Sequence, residues 1–202
     1  MEGITFYFIS WCFWIISTFF LKKTSAIRLK LSLWLMLMII LAPHTVAIYS
    51  FEISLAAIFM VFSLVIMASK LKGVKIISLL ISSLIIMLAY TCFHLFAMFD
   101  PVWVIFPKDW MLAILLVSLA FLLQDKGWER IFIIFMGALQ GEFLFAWVIG
   151  KYPFPYTIGS FAFLDTIFLS AIILSVWRVI ELLSIFLSRY INPIEKGKQK
   201  IS

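Results

Sequence analysis

The chain has 202 residues, of which 65% are hydrophobic and 13% are charged, and its formal net charge is +6. A soluble domain typically contains about 45–50% apolar and about 25% charged residues. The composition therefore excludes a soluble globular domain and predicts an integral membrane protein whose apolar surface faces lipid.

Seven apolar segments follow one another along the chain, and a helix needs about 20 such residues to cross the hydrocarbon core. They cover residues 4–21, 27–43, 48–69, 76–99, 110–124, 131–150 and 160–179. Unbroken runs such as IISLLISSLIIMLAY favour helices over a membrane barrel, which would show alternating polarity. The predicted fold is all-α: a polytopic helix bundle of about seven transmembrane helices over residues 1–188, followed by a short basic cytoplasmic tail, 189–202.

The break between the second and third segments lies in LAPHTVAIYSFE. Pro43 has no backbone hydrogen-bond donor, and Glu52 is costly to place in contact with lipid. We therefore place the turn between these two residues, with Glu52 near the outer start of the third helix.

The basic residues predict the orientation of the bundle. Thirteen of the sixteen lie in the first, third and fifth loops and the C-terminal tail, whereas the other loops hold two, Lys108 and Lys151. Since short cytoplasmic loops retain lysine and arginine, the N-terminus is expected outside and the C-terminus in the cytoplasm. The same loops would attract anionic lipid headgroups, so the positive charge requires no nucleic-acid partner.

A few polar residues stand inside the apolar segments, where an ionisable side chain usually faces other helices or a wet cavity. Helix six has Gln140 and Glu142, helix seven has Asp165, and helix four has His94. At 1.5 Å per residue, Glu142 lies roughly 12 Å below the outer end of its helix, and Asp165 and His94 each about 7 Å. All three are therefore expected in the outward half of the membrane, where they could converge.

Helix six also contains Gly137 and Gly141, a spacing of small residues that lets a neighbouring backbone approach closely. Gln140 belongs to that face, whereas Glu142, two positions later, points roughly 200° away from Gln140. We therefore expect these two side chains to address different neighbours, with Glu142 turned toward Asp165 of helix seven.

Two interpretations of these polar residues stay open. In the functional one, Glu142, Asp165, Gln140 and His94 line an outward-half pocket that binds a proton, a cation, a small polar ligand or a lipid headgroup, because two close carboxylates cannot easily both be ionised. In the structural one they form interhelical hydrogen bonds, worth about 0.6 kcal/mol on average, and His94 is a packing residue.

Near the cytoplasmic end of helix seven, WRVIELL places Arg178 three positions before Glu181. Helical side chains at this spacing meet. We expect the pair to lie at the membrane boundary, with the helix continuing as an amphipathic stretch toward Tyr190.

No catalytic or cofactor motif is present: the sequence has no GxSxG, P-loop, HExxH or dinucleotide fingerprint. Cys12 and Cys92 show no CxxC or Cys/His spacing and are expected to be free, buried thiols. The chain also lacks the repeated halves of many secondary transporters. We therefore expect no enzyme activity, no cofactor and no metal site.

The strings MEGITFYFISW, GALQGEFLF and GSFAFLDT, in a chain of this length and span count, resemble the YphA-type membrane proteins of Bacillus and relatives. The resemblance covers the whole chain. It implies a multi-pass protein of the bacterial cytoplasmic membrane with no assigned activity, and it therefore supplies no catalytic residues.

The leading hypothesis is a non-enzymatic binding, accessory or assembly component of the membrane, with its site at the outward-half pocket. The first alternative is a small proton- or cation-coupled transporter that uses Glu142 and Asp165. The second is a lipid-processing enzyme in which these carboxylates act as acid and base. The expected partners are the lipid bilayer, with anionic headgroups at the cytoplasmic loops, and the pocket's small polar ligand, cation or headgroup.

Overall fold

The computed structural model describes residues 2–22, 25–48, 51–71, 73–151 and 156–199, except for the side chains of residue 48 and of residues 189–199. Seven α-helices lie within these ranges: α1 Ile4–Ile15, α2 Ala26–Leu41, α3 Leu55–Ala68, α4 Val74–Phe99, α5 Lys108–Leu123, α6 Gly127–Ile149 and α7 Phe161–Gln199. A π-helical turn, Ile16–Phe20, extends α1.

Each predicted apolar segment contains or overlaps one helix, so the prediction that all seven segments are helical is confirmed. Within the described ranges, three helical stretches are long and apolar enough to cross a membrane: Val74–Phe99, Gly127–Ile149 and Phe161–Ser188. Ile4–Phe20 and Leu55–Ala68 are shorter apolar helices.

The predicted start of the third helix is wrong. The third helix begins at Leu55 rather than residue 48, because the preceding residues form a strand and Ser54 caps the helix by accepting a 3.1 Å hydrogen bond from the Ala57 N–H. The seventh helix continues beyond residue 179, as predicted for the stretch toward Tyr190, and ends at Gln199. The backbone of the predicted tail is thus helical to Gln199, and residues 200–202 lie outside the described ranges.

A small sheet, which the sequence did not predict, closes one end of the bundle. Strand β1, Thr45–Ile48, pairs antiparallel with β2, Phe51–Ser54, and β2 pairs in parallel with β3, Thr157–Ile158. Glu52 therefore lies on a strand opposite Thr157, not on a helix. These strands are too short to show a period-2 pattern in an apolar sequence. We call this end of the bundle the sheet end.

Contacts between helix ends show that successive helices alternate in direction. At the sheet end α1 and α7 begin side by side, and the Gly3 N–H donates to Asp165. At the opposite end Gln124, after α5, donates to Ser82 near the start of α4. Arg130 of α6 and Glu181 of α7 also approach each other there, at 3.8 Å.

The surface of the bundle is strongly apolar. Many large hydrophobic side chains are exposed, for example Phe99 and Leu122, each at 83%. Water would solvate such a surface poorly, whereas lipid tails cover it at no cost. Cys12 and Cys92 are free, as predicted, but neither is fully buried: Cys12 is half-buried and Cys92 is exposed on this surface.

Candidate functional site

The site is built on a close approach of α4 and α6. A Cβ atom on Gly137 would lie 2.6 Å from the side chain of Ile86, and one on Gly141 would lie 2.8 Å from the ring of Tyr90. Thr91 Oγ1 lies 3.2 Å from the Gly141 carbonyl oxygen. The predicted role of the two glycines is confirmed, because only residues without a side chain allow this separation.

We call the close contact of α4 and α6 at Gly137 and Gly141 the glycine seam. Glu142 lies beside it and has no solvent exposure. Its Oε2 accepts a hydrogen bond of 2.5 Å from the Tyr90 hydroxyl of α4. Its Oε1 accepts one of 3.1 Å from the backbone N–H of Gly159, in the loop before α7. A single carboxylate therefore joins α6 to α4 and to the sheet-end loop.

Gly159 fits this position for two independent reasons. Its φ of +75° lies in the left-handed region, which residues with a side chain rarely adopt. A Cβ atom there would lie 2.5 Å from both Ala57 Cβ and Ser54 Oγ at the start of α3. The same glycine thus aims its N–H at Glu142 and packs against the helix that follows β2.

Aromatic side chains surround the Glu142 carboxylate. The ring of His94 stacks on Tyr90 with centroids 4.4 Å apart, and it lies 5.0 Å from the ring of Phe145. Tyr156, in the loop after α6, packs its ring against Phe145 at 5.2 Å. Burial, together with the nearby Glu142 carboxylate, raises the pKa of Tyr156 well above its usual range, so its phenol stays neutral.

Asp165 binds a different part of the chain. Its two oxygens accept backbone hydrogen bonds from Gly3, at 2.7 Å, and from Phe6, at 2.6 Å. These groups form the first turn of α1, whose N-terminal N–H groups have no partner within the helix. Asp165 therefore caps α1 from α7, where the positive end of the α1 dipole also favours a carboxylate.

The predicted turn of Glu142 toward Asp165 is wrong. Each carboxylate is bonded to its own donors, and no described hydrogen bond joins the two. The physical reason is that a buried carboxylate is stabilised by N–H and O–H donors, whereas a second carboxylate would repel it. The structure places His94 beside the Glu142 partner Tyr90, and so brings these two predicted residues into one cluster.

Gln140 is only partly buried, but its Oε1 is buried and accepts no hydrogen bond from the described residues. It therefore stands apart from the Glu142 network. Among the residues that the structure describes, no three histidine, cysteine, aspartate or glutamate side chains are grouped closely enough to hold a metal ion.

Several residues of the site were not predicted. Tyr90 and Tyr156 approach Glu142, whereas Gly3 and Gly159 supply backbone donors. The sequence could have indicated Tyr90 as a site residue, since it precedes Thr91 on the polar face of α4. Nothing in the sequence indicates the backbone donors.

A family model described as "YphA-like integral membrane protein" matches residues 2–200. The chain is also similar to the Bacillus subtilis (strain 168) protein named "Uncharacterized protein YphA", with 30% identity over 151 residues, which is 75% of this chain and 74% of the relative. No solved structure matches the chain. The resemblance seen in the sequence is thereby confirmed.

Replacing Gly141 by alanine tests the seam. The new methyl group must displace the Tyr90 ring and with it the donor to Glu142, so we expect Gly141→Ala to destabilise the protein by about 1–3 kcal/mol. Thermal unfolding of the purified protein measures this loss. Gly127→Ala, in the same helix, is the matched control, because a Cβ atom there meets nothing within 4 Å. Equal melting temperatures of the two variants would contradict the account.

Proposed function

The chain belongs to the YphA-like integral membrane protein family, and from that membership we propose a multi-pass protein of the bacterial cytoplasmic membrane. It crosses the bilayer seven times, with the N-terminus outside and the C-terminus in the cytoplasm. The alternating helix directions support seven crossings. The concentration of basic residues in the loops opposite the sheet end supports the orientation.

We further propose a non-enzymatic accessory or assembly role. The observation that carries this proposal is the bonding of Glu142 and Asp165: their oxygens are occupied by Tyr90, Gly159, Gly3 and Phe6. Carboxylates used in this way stabilise the sheet end of the bundle and hold its surface loops in place. A lipid-processing enzyme would instead need an acid and a base facing one substrate space, and this bonding offers it no support.

A proton- or cation-coupled transporter is the second candidate, and one observation favours it. Glu142 contacts the hydroxyl of Tyr90, and Tyr90 in turn stacks on the half-buried His94. Titratable groups therefore extend from a buried carboxylate toward the edge of the bundle. Binding of a small polar ligand or headgroup would use the same cluster around Glu142 and His94, with Gln140 and Asp165 outside it.

Cysteine labelling in intact cells tests the orientation. In a chain whose native Cys12 and Cys92 are replaced by serine, we expect a membrane-impermeant maleimide to label Lys151→Cys from outside, because this exposed residue lies at the sheet end. Lys75→Cys, exposed at the opposite end, is the control and should react only after the cells are permeabilised. The reverse labelling pattern would refute the orientation.

Proton flux in proteoliposomes, read with a trapped pH-sensitive dye, tests the role. If the carboxylates are structural, the wild-type protein should conduct no more than empty liposomes. Glu142→Gln and Asp165→Asn should each lower the stability by about 1–3 kcal/mol, since each weakens hydrogen bonds to a buried charge.

Glu52→Gln is the matched control for both measurements. Glu52 lies at the same end and accepts a 3.1 Å hydrogen bond from Thr157, but it is exposed, so its replacement should leave the melting temperature nearly unchanged. Wild-type flux above the liposome background that disappears in Glu142→Gln would favour the transporter instead.

A further inference from the structure

A second polar region lies at the opposite end of the bundle, away from Glu142. A cavity of about 650 Å³ opens between the start of α6 and the later part of α7. We call it the basic cavity; its lining includes Lys126, Trp128, Arg130, Trp177, Arg178 and Glu181. The predicted pairing of Arg178 with Glu181 is confirmed here, at 2.8 Å.

Arg130 is held rigidly in the wall of this cavity. Its side chain is only 13% exposed, its Nε donates a 2.8 Å hydrogen bond to the Gln124 carbonyl oxygen, and its guanidinium lies 4.1 Å from the centre of the Phe121 ring. A guanidinium fixed in this way has already lost the conformational freedom that binding would otherwise cost.

The terminal nitrogens of Arg130 remain available to a ligand. Glu181 Oε1 accepts from Trp177 and Oε2 accepts from Arg178, both at 2.8 Å, while Arg130 Nη1 lies 3.8 Å from Oε1, an ion pair without a hydrogen bond. Among the described residues the only hydrogen bond from Arg130 is the one through Nε. Within the described ranges, the planar fork therefore has no bidentate oxyanion partner of the kind that it is shaped to bind.

The balance of charge also favours an anion. Three cationic side chains line the cavity, Lys126, Arg130 and Arg178, against two acidic ones, Asp125 and Glu181. Glu129 lies 3.9 Å from Lys126, but that lysine is 62% exposed, so the pair is weak. The cavity also includes the first residues of α6, whose N-terminus has no side-chain cap and carries one acidic residue, Glu129, in its first turn.

The rim of the cavity resembles a membrane boundary more than a solvent-facing cleft. Trp128 and Trp177 are about half exposed, and indole rings prefer the headgroup level. Large apolar side chains, Val176 and Ile180, are exposed just beyond them on α7. A phosphate that also carries acyl chains would bury apolar surface here, which a free phosphate ion would not.

We propose that the basic cavity binds the phosphate of an anionic phospholipid, with Arg130 as the fixed ligand and Lys126 and Arg178 as the mobile ones. The basic cavity lies at the end of the bundle opposite to Glu142. The proposal therefore does not depend on the role of Glu142 and Asp165.

Native mass spectrometry of the full-length protein in neutral detergent tests this proposal. We expect phosphatidylglycerol to be retained in preference to phosphatidylcholine. Lys126→Gln and Arg178→Gln should each weaken that retention about fivefold, the effect of one basic residue near a membrane surface. Both side chains are about 60% exposed, so these variants should fold.

Two further variants and one competitor make the result decisive. Glu181→Gln should strengthen phosphatidylglycerol binding, because it removes a negative charge beside Arg130, whereas Lys75→Gln, an exposed lysine outside the cavity, should leave it unchanged. Equal retention of the two lipids, or an equal loss in Lys75→Gln, would overturn the site. Displacement of the lipid by millimolar inorganic phosphate would overturn its assignment to a phospholipid.

Discussion

A carboxylate held entirely away from solvent needs donors inside the protein, because an unpaired buried charge costs about 3–5 kcal/mol. Glu142 is in this position, and the fold at the sheet end is arranged to supply its donors. The glycine seam brings α4 close enough for Tyr90 to reach it, and the left-handed backbone of Gly159 directs an N–H to its other oxygen. Glu142 therefore links the packed pair α4 and α6 to the loop before α7.

Asp165 repeats this arrangement at the start of α1. In both cases a carboxylate within a helix accepts the N–H of a glycine with positive φ, Gly159 for Glu142 and Gly3 for Asp165. Both glycines lie in segments outside the long helices. The two acids thus attach the N-terminal segment and the sixth loop to the bundle, where lipid offers no hydrogen-bond donors to replace them.

The sequence was sufficient for the helices, the glycine seam and the inward position of the carboxylates. The length of the apolar segments predicts the helices, and the spacing of Gly137 and Gly141 predicts the glycine seam. The cost of charge in lipid predicts that the carboxylates face inward. Most partners of the carboxylates could not be predicted, because three of the four are backbone N–H groups, and two of these are directed by the positive φ of Gly3 and Gly159. The parallel pairing of Glu52 with Thr157 joins residues far apart in the chain, and it left no pattern in either segment.

The central claim is that the Tyr90–Glu142 hydrogen bond is a stabilising contact of the fold. A double-mutant cycle with Tyr90→Phe, Glu142→Gln and the combined variant measures it directly through the free energy of unfolding in detergent. The account predicts that the two single losses sum to more than the loss in the combined variant, by a coupling of about 1–3 kcal/mol, because both single changes disrupt the same buried bond. Losses that add to within about 0.5 kcal/mol would contradict it.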